Sequence, residues 1–354
     1  MQVKPPTIPS LTIGLDVGNR FTEICEIDEH GEVIRRDRVS TTVDCLRKRL
    51  SGLTLARVVL EVGCDSPWMS RLLSELGHEV LVANSRSIAL IHGSDRKDDR
   101  TDAERLARLG RLDPSLLRPI QHRSEEGQCH LEVLRARDQL VSVRTALINH
   151  VRGATKGLGG RLPTCSAEAF GTKASRSIPE SLALALQPLL AEIQAMTRAI
   201  KAYDQAIERL STGHYPATKL LRQVRGVGPL TALCFVLTIS DPSRFRRSRQ
   251  VGSYLGLTPR KHASGDRDPQ MRITKAGDPL LRRLLVMSAQ YMLGHHGIDT
   301  DLRRFGQRVS LVGGKAAKKR AVVAVARKTA VLLHRLWTTG AVYEPLRNST
   351  PQAA

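Results

Sequence analysis

From Leu11 to Val17 the chain alternates: Leu11, Ile13, Leu15 and Val17 fall on one side, Thr12, Gly14 and Asp16 on the other. A period of two is the mark of a half-buried strand. The next segments narrow the fold. After Gly18-Asn19 a second strand runs from Phe21 to about Asp28, and Asp28-Glu29-His30-Gly31 turns the chain into a third, Glu32 to Val39. A short helix near 43–51 is followed by ARVVLEVG (56–63), an apolar strand of the buried kind. SPWMSRLLSELG (66–77) reads as a helix, with Ser66 as N-cap, Pro67 in the first turn and Gly77 as stop. HEVLVAN (78–84) is a further strand, and a helix runs through DDRTDAERLARLGRLD (98–113).

The order is β-β-β-α-β-α-β-α. Three meandering strands followed by alternating helices and strands is the layout of the ribonuclease H-like α/β fold, and the actin-like ATPases share much of it. The layout supplies positions for acidic ligands. Phosphodiester chemistry at neutral pH is most readily done with a divalent metal, which takes hard oxygen ligands from converging carboxylates. Asp16 lies on the first strand, opposite its apolar set, and Glu61 ends the next apolar strand. Asp99 and Asp102 are three apart on a helix and share a face. Asp95, Asp98 and Glu104 compete with them, and Asp98 shares a face with Asp102 equally well. Each acid alone is also readable as solvated surface.

The rest of the chain is helical. Residues 125–156 form one long helix, broken by GLGGRLP (157–163). Leu186, Leu189, Ile193, Met196, Ile200, Tyr203, Ile207 and Leu210 then follow a heptad seam, with Pro188 near its start. That seam fits either an intramolecular hairpin with 125–156 or a dimerising coiled coil. A lysine at Ile200 separates the two, since it would disrupt oligomers only in the second case. Helices with basic loops fill 221–337. The GVG at 226–228 reads as the hairpin of a helix-hairpin-helix module, whose glycines let backbone N–H groups meet a phosphate, or as a plain helix-entry turn. The cations of the last helix, among them Lys315, Lys318, Lys319 and Arg320, form either a solvated face or a track for a nucleic-acid backbone.

Charge separates the halves. The 354 residues carry 55 Lys+Arg against 34 Asp+Glu, a net +21. Residues 215–354 hold 25 and 7 of these, a net +18, which leaves +3 for residues 1–214. Such asymmetry points to a polyanion, either nucleic acid or an anionic membrane, with nucleic acid favoured. No run of 18 or more apolar residues exists, so no bilayer span is expected. MQVKPPTIPS lacks the apolar core of a signal peptide. The six cysteines, at 25, 45, 64, 129, 165 and 234, form no CxxC pair and read as reduced thiols of a cytoplasmic, nucleoid-associated chain.

VVLEVG with its Glu61, followed by R-K-D-D-R-T-D-A-E-R-L-A (96–107), resembles the K-x-D-x-x-D-A signature of the DEDD-type insertion-sequence transposases. Lys97, Asp99, Asp102 and Ala103 fall on that signature, and Asp16 in GLDVG completes the D-E-D-D set. The resemblance continues through LRQVRGVGPLTA (221–232), DPSRFRRSRQVGSYLGLTPR (241–260), HASG (262–265) and RITKAGDPLLRRLL (272–285). It implies a RuvC-like domain at 8–158, a coiled-coil linker at 164–213 and a mainly α transposase domain at 215–345.

The resemblance also assigns roles. A serine in the S-G step, here Ser264, is the family's nucleophile. Without it, Ser264 is as readable as an ordinary serine of a phosphate-binding loop. A serine hydroxyl needs activation, and neighbouring cations can hold the scissile phosphate and its transition-state charge. Arg260, Lys261, His262, Arg267, Arg272 and Lys275 surround it in sequence, with Arg282 and Arg283 beyond. The family implies Mg²⁺ or Mn²⁺ at Asp16, Glu61, Asp99 and Asp102, double-stranded DNA at element ends and target, a structured guide RNA, and a dimeric or tetrameric assembly. A RuvC-like junction resolvase or nuclease would use water in place of serine. A sugar kinase or actin-like ATPase would need a second phosphate loop, D-x-G-G, that the chain lacks. A non-catalytic DNA-binding protein would explain the charge alone.

Overall fold

The computed structural model describes residues 9–84, 99–262, 264, 269, 271–311 and 313–347, with Asp99 placed by its backbone. The chain divides into two compact units, one up to Glu125 and one from Glu126.

The first unit is a mixed sheet with helices on both faces. Its elements are β1 (Leu11–Val17), β2 (Phe21–Asp28), β3 (Val33–Ser40), α1 (Val43–Leu50), β4 (Arg57–Glu61), α2 (Ser66–Glu75), β5 (Glu79–Ala83) and α3 (Asp99–Leu112). The strand order is β3-β2-β1-β4-β5. β1 pairs antiparallel with β2, β2 antiparallel with β3, and β4 runs parallel to both β1 and β5. The expected ribonuclease H-like, RuvC-like plan is therefore present. β1 is central, and its residues 11–15 are buried on both faces. On one face Ile13, Leu15, Val58 and Leu60 pack with Leu46 and Leu50 of α1 and Met69 and Leu73 of α2.

The other face receives α3. Cys25 and Ile27 pack with Ala103 and Ala107, and Val59 with Leu106. The approach is backbone to backbone. A Cβ on Gly14 would lie 1.9 Å from the Ala103 carbonyl oxygen and 2.7 Å from the Ala107 nitrogen. Polar clamps add to this. Glu104 pairs with Arg36 of β3 and, at 2.8 Å, with Arg108. The hydrogen bonds from Arg108 and then Arg36 hold its carboxyl below the usual range. This support is therefore present at neutral pH and is lost as pH falls through the depressed value.

One expected cap differs. Asp65 is the N-cap of α2 and Ser66 its first helical residue. The Ser66 hydroxyl instead turns back to the Gly63 backbone, 2.9 Å from its carbonyl oxygen, and meets His122 Nε2 at 2.9 Å. Burial pushes the His122 pKa down, helped by Arg123 and Arg71.

The second unit is α-helical: α4 (Glu125–Gly157), α5 (Ala167–Ser175), α6 (Ala183–Gly213), α7 (Ala217–Leu221), α8 (Pro229–Ile239), α9 (Arg249–Tyr254), α10 (Pro279–Leu293), α11 (Asp301–Leu311) and α12 (Gly314–Thr339). α8 is apolar and buried from Thr231 to Ile239. It forms the centre of the core, with α10 and α12 around it. α4 and α6 run antiparallel, tied by Arg137–Asp204 at 2.9 Å and Arg144–Thr197 at 3.1 Å. Ile148 and Val151 of α4 pack with Leu186, Leu190 and Ile193 of α6, closed by Phe170 and Ala174 of α5.

Half of the heptad seam is covered inside one chain: Leu186, Ile193, Ile200 and Ile207 are buried, while Leu189, Met196, Tyr203 and Leu210 stay half-buried. Ile200, at 4% exposure, has become a test of the hairpin. Ile200→Lys is expected to destabilise the monomer by about 3 kcal/mol, as an unpaired charge replaces a buried side chain. Thermal unfolding followed by circular dichroism measures this, and an unchanged melting point would mean that the hairpin does not close on that seam. Among the described residues, no helix is long and apolar enough to cross a membrane.

Candidate functional site

Two of the expected acids, Asp16 and Glu61, share one end of the sheet. Register pairs Gly14 with Val59 and Leu15 with Leu60, so Asp16 and Glu61 stand side by side one step further, at the C-terminal ends of β1 and β4. Gly14 and Val59 both face α3. Alternation puts Asp16 and Glu61 on that same face. α3 crosses the sheet with its last turns over the β2–β3 turn, where Arg108 and Arg111 bond the Gly31 and Glu29 carbonyls. Its first turn, carrying Asp99 and Asp102, therefore lies toward the end that holds Asp16 and Glu61. Asp16 and Asp102 are half-buried and Glu61 is exposed. Asp102 makes an ion pair with Arg105 at 3.1 Å. The Asp99 side chain, and Asp95, Lys97 and Asp98 entirely, lie outside the described residues.

Among the described residues, no three His, Cys, Asp or Glu side chains converge as metal ligands. The donors are nonetheless of the right chemistry. They are carboxylates carried by β1, β4 and α3, and hard oxygens suit Mg²⁺ or Mn²⁺. One neighbour escaped the sequence reading. Glu23 of β2 sits directly opposite Asp16, on the same face, and pairs with Arg38 at 3.1 Å. The short turn between the first two strands was the available signal, since it sets that register.

In the second unit a narrow antiparallel bridge precedes Ser264 by five residues: Pro259 lies against Ile273, with Arg260 N–H to Arg272 C=O and Thr274 N–H to Thr258 C=O, both 2.9 Å. Ser264 is exposed, as are Arg260, Lys261, Arg272 and Lys275, while Arg267 and Gly265 lie outside the described residues. Lys275 holds a left-handed backbone, φ 55°. Arg282 is used differently from the expectation. Its Nη1 donates to the Leu255 and Gly277 carbonyls at 3.2 and 3.0 Å, so it ties together the segments on either side of the Pro259–Ile273 bridge. Arg283 pairs with Asp138 of α4.

The GVG step has a turn's geometry. Gly226 has φ +93°, and Gly228 is the N-cap of α8, with no side chain capping that helix. A Cβ on Gly226 would also sit 3.0 Å from the Tyr291 ring, so both backbone freedom and close packing select glycine there.

A RuvC-like sheet with Asp16 and Glu61 at the ends of two inner strands, followed by a basic helical unit, is consistent with a DNA-processing enzyme. Comparison with known proteins identifies the family. A DEDD-type IS110 transposase profile matches residues 13–158, and the profile of the "Transposase IS116/IS110/IS902 family" matches residues 218–305. A "Probable family 20 transposase" of Pseudomonas aeruginosa is 30% identical over 342 residues, 94% of this chain and 98% of that protein. The "Transposase for insertion sequence element IS1111A" of Coxiella burnetii is 27% identical over 337 residues, 94% of this chain and 90% of its own. A "Pilin gene-inverting protein" of Moraxella lacunata is 32% identical over 110 residues, 31% of this chain and 33% of that protein. The chain belongs to the IS110/IS1111 family of transposases.

Proposed function

We propose that this transposase cuts and rejoins DNA at defined sites through a covalent serine–DNA link, with a divalent metal held by Asp16, Glu61, Asp99 and Asp102. The observation that carries the metal half is the placement of Asp16 beside Glu61 on the face covered by α3. Mg²⁺ or Mn²⁺ bound there would supply charge to offset that of the scissile phosphate.

The rest of the chemistry falls to the chain. The exposed Ser264 hydroxyl attacks the phosphorus, and the Oγ–P bond forms as one P–O bond to a sugar breaks. The serine proton leaves to a base, and the freed sugar oxygen takes one up. Arg260, Lys261, Arg267, Arg272 and Lys275 hold the phosphate and its added charge. Arg282 acts through the two segments it ties beside the Pro259–Ile273 bridge, and Arg283 is available once its pairing with Asp138 opens. Rejoining reverses the step on another strand, so bond energy is conserved without ATP.

The inferred partners are duplex DNA at element ends and target, a structured guide RNA, and further copies of this chain. The net +18 of residues 215–354 supports the first two. DNA affinity should fall steeply with salt, because the hold is mostly on phosphates. The inferred setting is the cytoplasm, at the nucleoid.

Trapping the covalent intermediate tests the serine. Wild-type protein incubated with labelled element-end DNA and Mg²⁺ is expected to give a denaturant-resistant protein–DNA band, and Ser264→Ala to give none. A persistent band would move the nucleophile elsewhere. Cleavage with no band even in the wild type would indicate a RuvC-like nuclease that uses water.

A further inference from the structure

A cleft of about 930 Å³ lies in the second unit, between α4 and α10, with the Val227–Leu230 turn as its floor. Val141, Ser142 and Thr145 form the α4 wall, and Met287 and Tyr291 the α10 wall. Four arginines line it, 137, 222, 225 and 283, against one acid, Asp138. Arg137 and Arg222 are held by Asp204 and Glu208. Arg283 reaches across the cleft to Asp138, so that one pair joins the two walls. Arg225 is exposed and has no ion pair among the described residues.

Tyr291 sets this cleft apart. Among the described residues three Phe, Tyr or Trp side chains are exposed: Phe21, Tyr254 and Tyr291, the last at 38%. Phe21 lies under the Arg38 guanidinium, at 4.3 Å. Tyr254 lies under Arg244 at 4.8 Å and against Phe245. Among the described residues, Tyr291 has neither a ring nor a cation over it. Met287, one turn earlier on the same face, is 55% exposed. An apolar ring and thioether are thus presented to solvent inside a cleft edged by guanidinium groups.

We propose that this cleft takes one unstacked nucleotide of the DNA substrate, its base against Tyr291 and Met287 and its flanking phosphates on Arg225 and Arg283. Arg225, with Arg283 once released from Asp138, favours an anionic group, and the exposed apolar wall selects among anions. A paired duplex offers its phosphates but keeps its base faces stacked, so it would leave Tyr291 and Met287 uncovered. An unpaired base has a free π-face that covers them. The volume is within the range of sites that enclose small ligands, roughly 300–1,000 Å³, and so has room for a nucleotide. Entry of a phosphate would transfer Arg283 from Asp138 to the DNA and free the two walls from each other. If single strands are exchanged between duplexes, the unpaired bases at the crossover would supply the occupant. The inference rests on the recombinase reading.

The test compares the full chain on three 30-mer probes: a paired DNA duplex, the same duplex with one bulged 2-aminopurine, and the same with a bulged abasic site. The bulged base is expected to raise affinity about tenfold over the other two, the order found for one base on an aromatic side chain, and to lose fluorescence on binding. Tyr291→Ala should bring that ratio to about one, and Tyr291→Phe should keep it, which separates stacking from damage to the fold. Equal affinity for base and abasic bulges would overturn the assignment, as would a ratio that survives Tyr291→Ala. Tighter binding of the same bulge in duplex RNA would overturn the choice of DNA. If paired duplex binds and the Ser264 adduct forms while the ratio stays at one, the cleft assignment alone falls. If no probe binds, the recombinase reading falls with it.

Discussion

Asp102→Asn is expected to lower metal-dependent strand cleavage by about a hundredfold or more while leaving the melting temperature within about 1 °C of wild type. The cleavage loss is of the order seen when one electrostatic group of an active site is removed. The small stability effect follows from the surroundings. Asp102 is half-buried on the first turn of α3 and pairs with Arg105, a partly exposed i,i+3 contact at 3.1 Å. Such pairs contribute little to stability. Asparagine keeps the shape and an acceptor for Arg105 but loses the charge a metal requires. The measurement is cleavage of element-end DNA across a Mg²⁺ titration, alongside a melt. Full activity at every Mg²⁺ concentration would remove Asp102 from the metal site. A collapse of the melt would mean that its role is structural.

Gly14→Val is expected to have the larger effect on stability, at least about 3 kcal/mol, and to abolish cleavage with all four candidate ligands intact. Overpacking usually costs about 1–3 kcal/mol because side chains can move aside. Here a Cβ alone would meet helix backbone, at 1.9 Å from the Ala103 oxygen. Nor can α3 simply pivot away. Gly110, near its other end, lies so close to the sheet that a Cβ there would come within 2.3 Å of the Val59 side chain. The helix has to lift off, and its first turn with Asp99 and Asp102 moves with it. Thermal melts, with limited proteolysis of α3, read this directly. A wild-type melt for Gly14→Val would show that α3 is not seated on β1.

Much of the first unit was legible because its strands carry their own evidence. The alternation at 11–17, the turn at 28–31 and the apolar 57–61 run each mark a strand or its end, but β1 is buried on both faces and not half-buried, because α3 covers the face of Thr12 and Gly14. The position of Asp16 beside Glu61 could be anticipated from the layout, since adjacent parallel strands end together. Glu23 was passed over because its importance depends on register across a turn and not on any local motif. Ser66 looked like a cap by residue type, yet its hydroxyl serves the Gly63 loop and His122, a partner 56 positions away. The heptad seam was equally open to a hairpin or a dimer. A repeat reports that a helix has an apolar face and is silent about what covers it.

The basic half shows the same division. Sequence alone determined that residues 215–354 carry +18 and that the chain alternates strands before it turns helical, because charge and hydrophobic period are sums over residues. It also carried the signatures that match the family. Only the tertiary structure could distinguish one arginine from another. Arg282 and Arg283 are neighbours in the chain, but the first bonds the Leu255 and Gly277 carbonyls and the second reaches across a cleft to Asp138. Successive residues on a helix point about 100° apart, so each meets a different part of the fold. The partners that decide their tasks, Leu255 and Asp138, lie far away in sequence and are brought near only by packing.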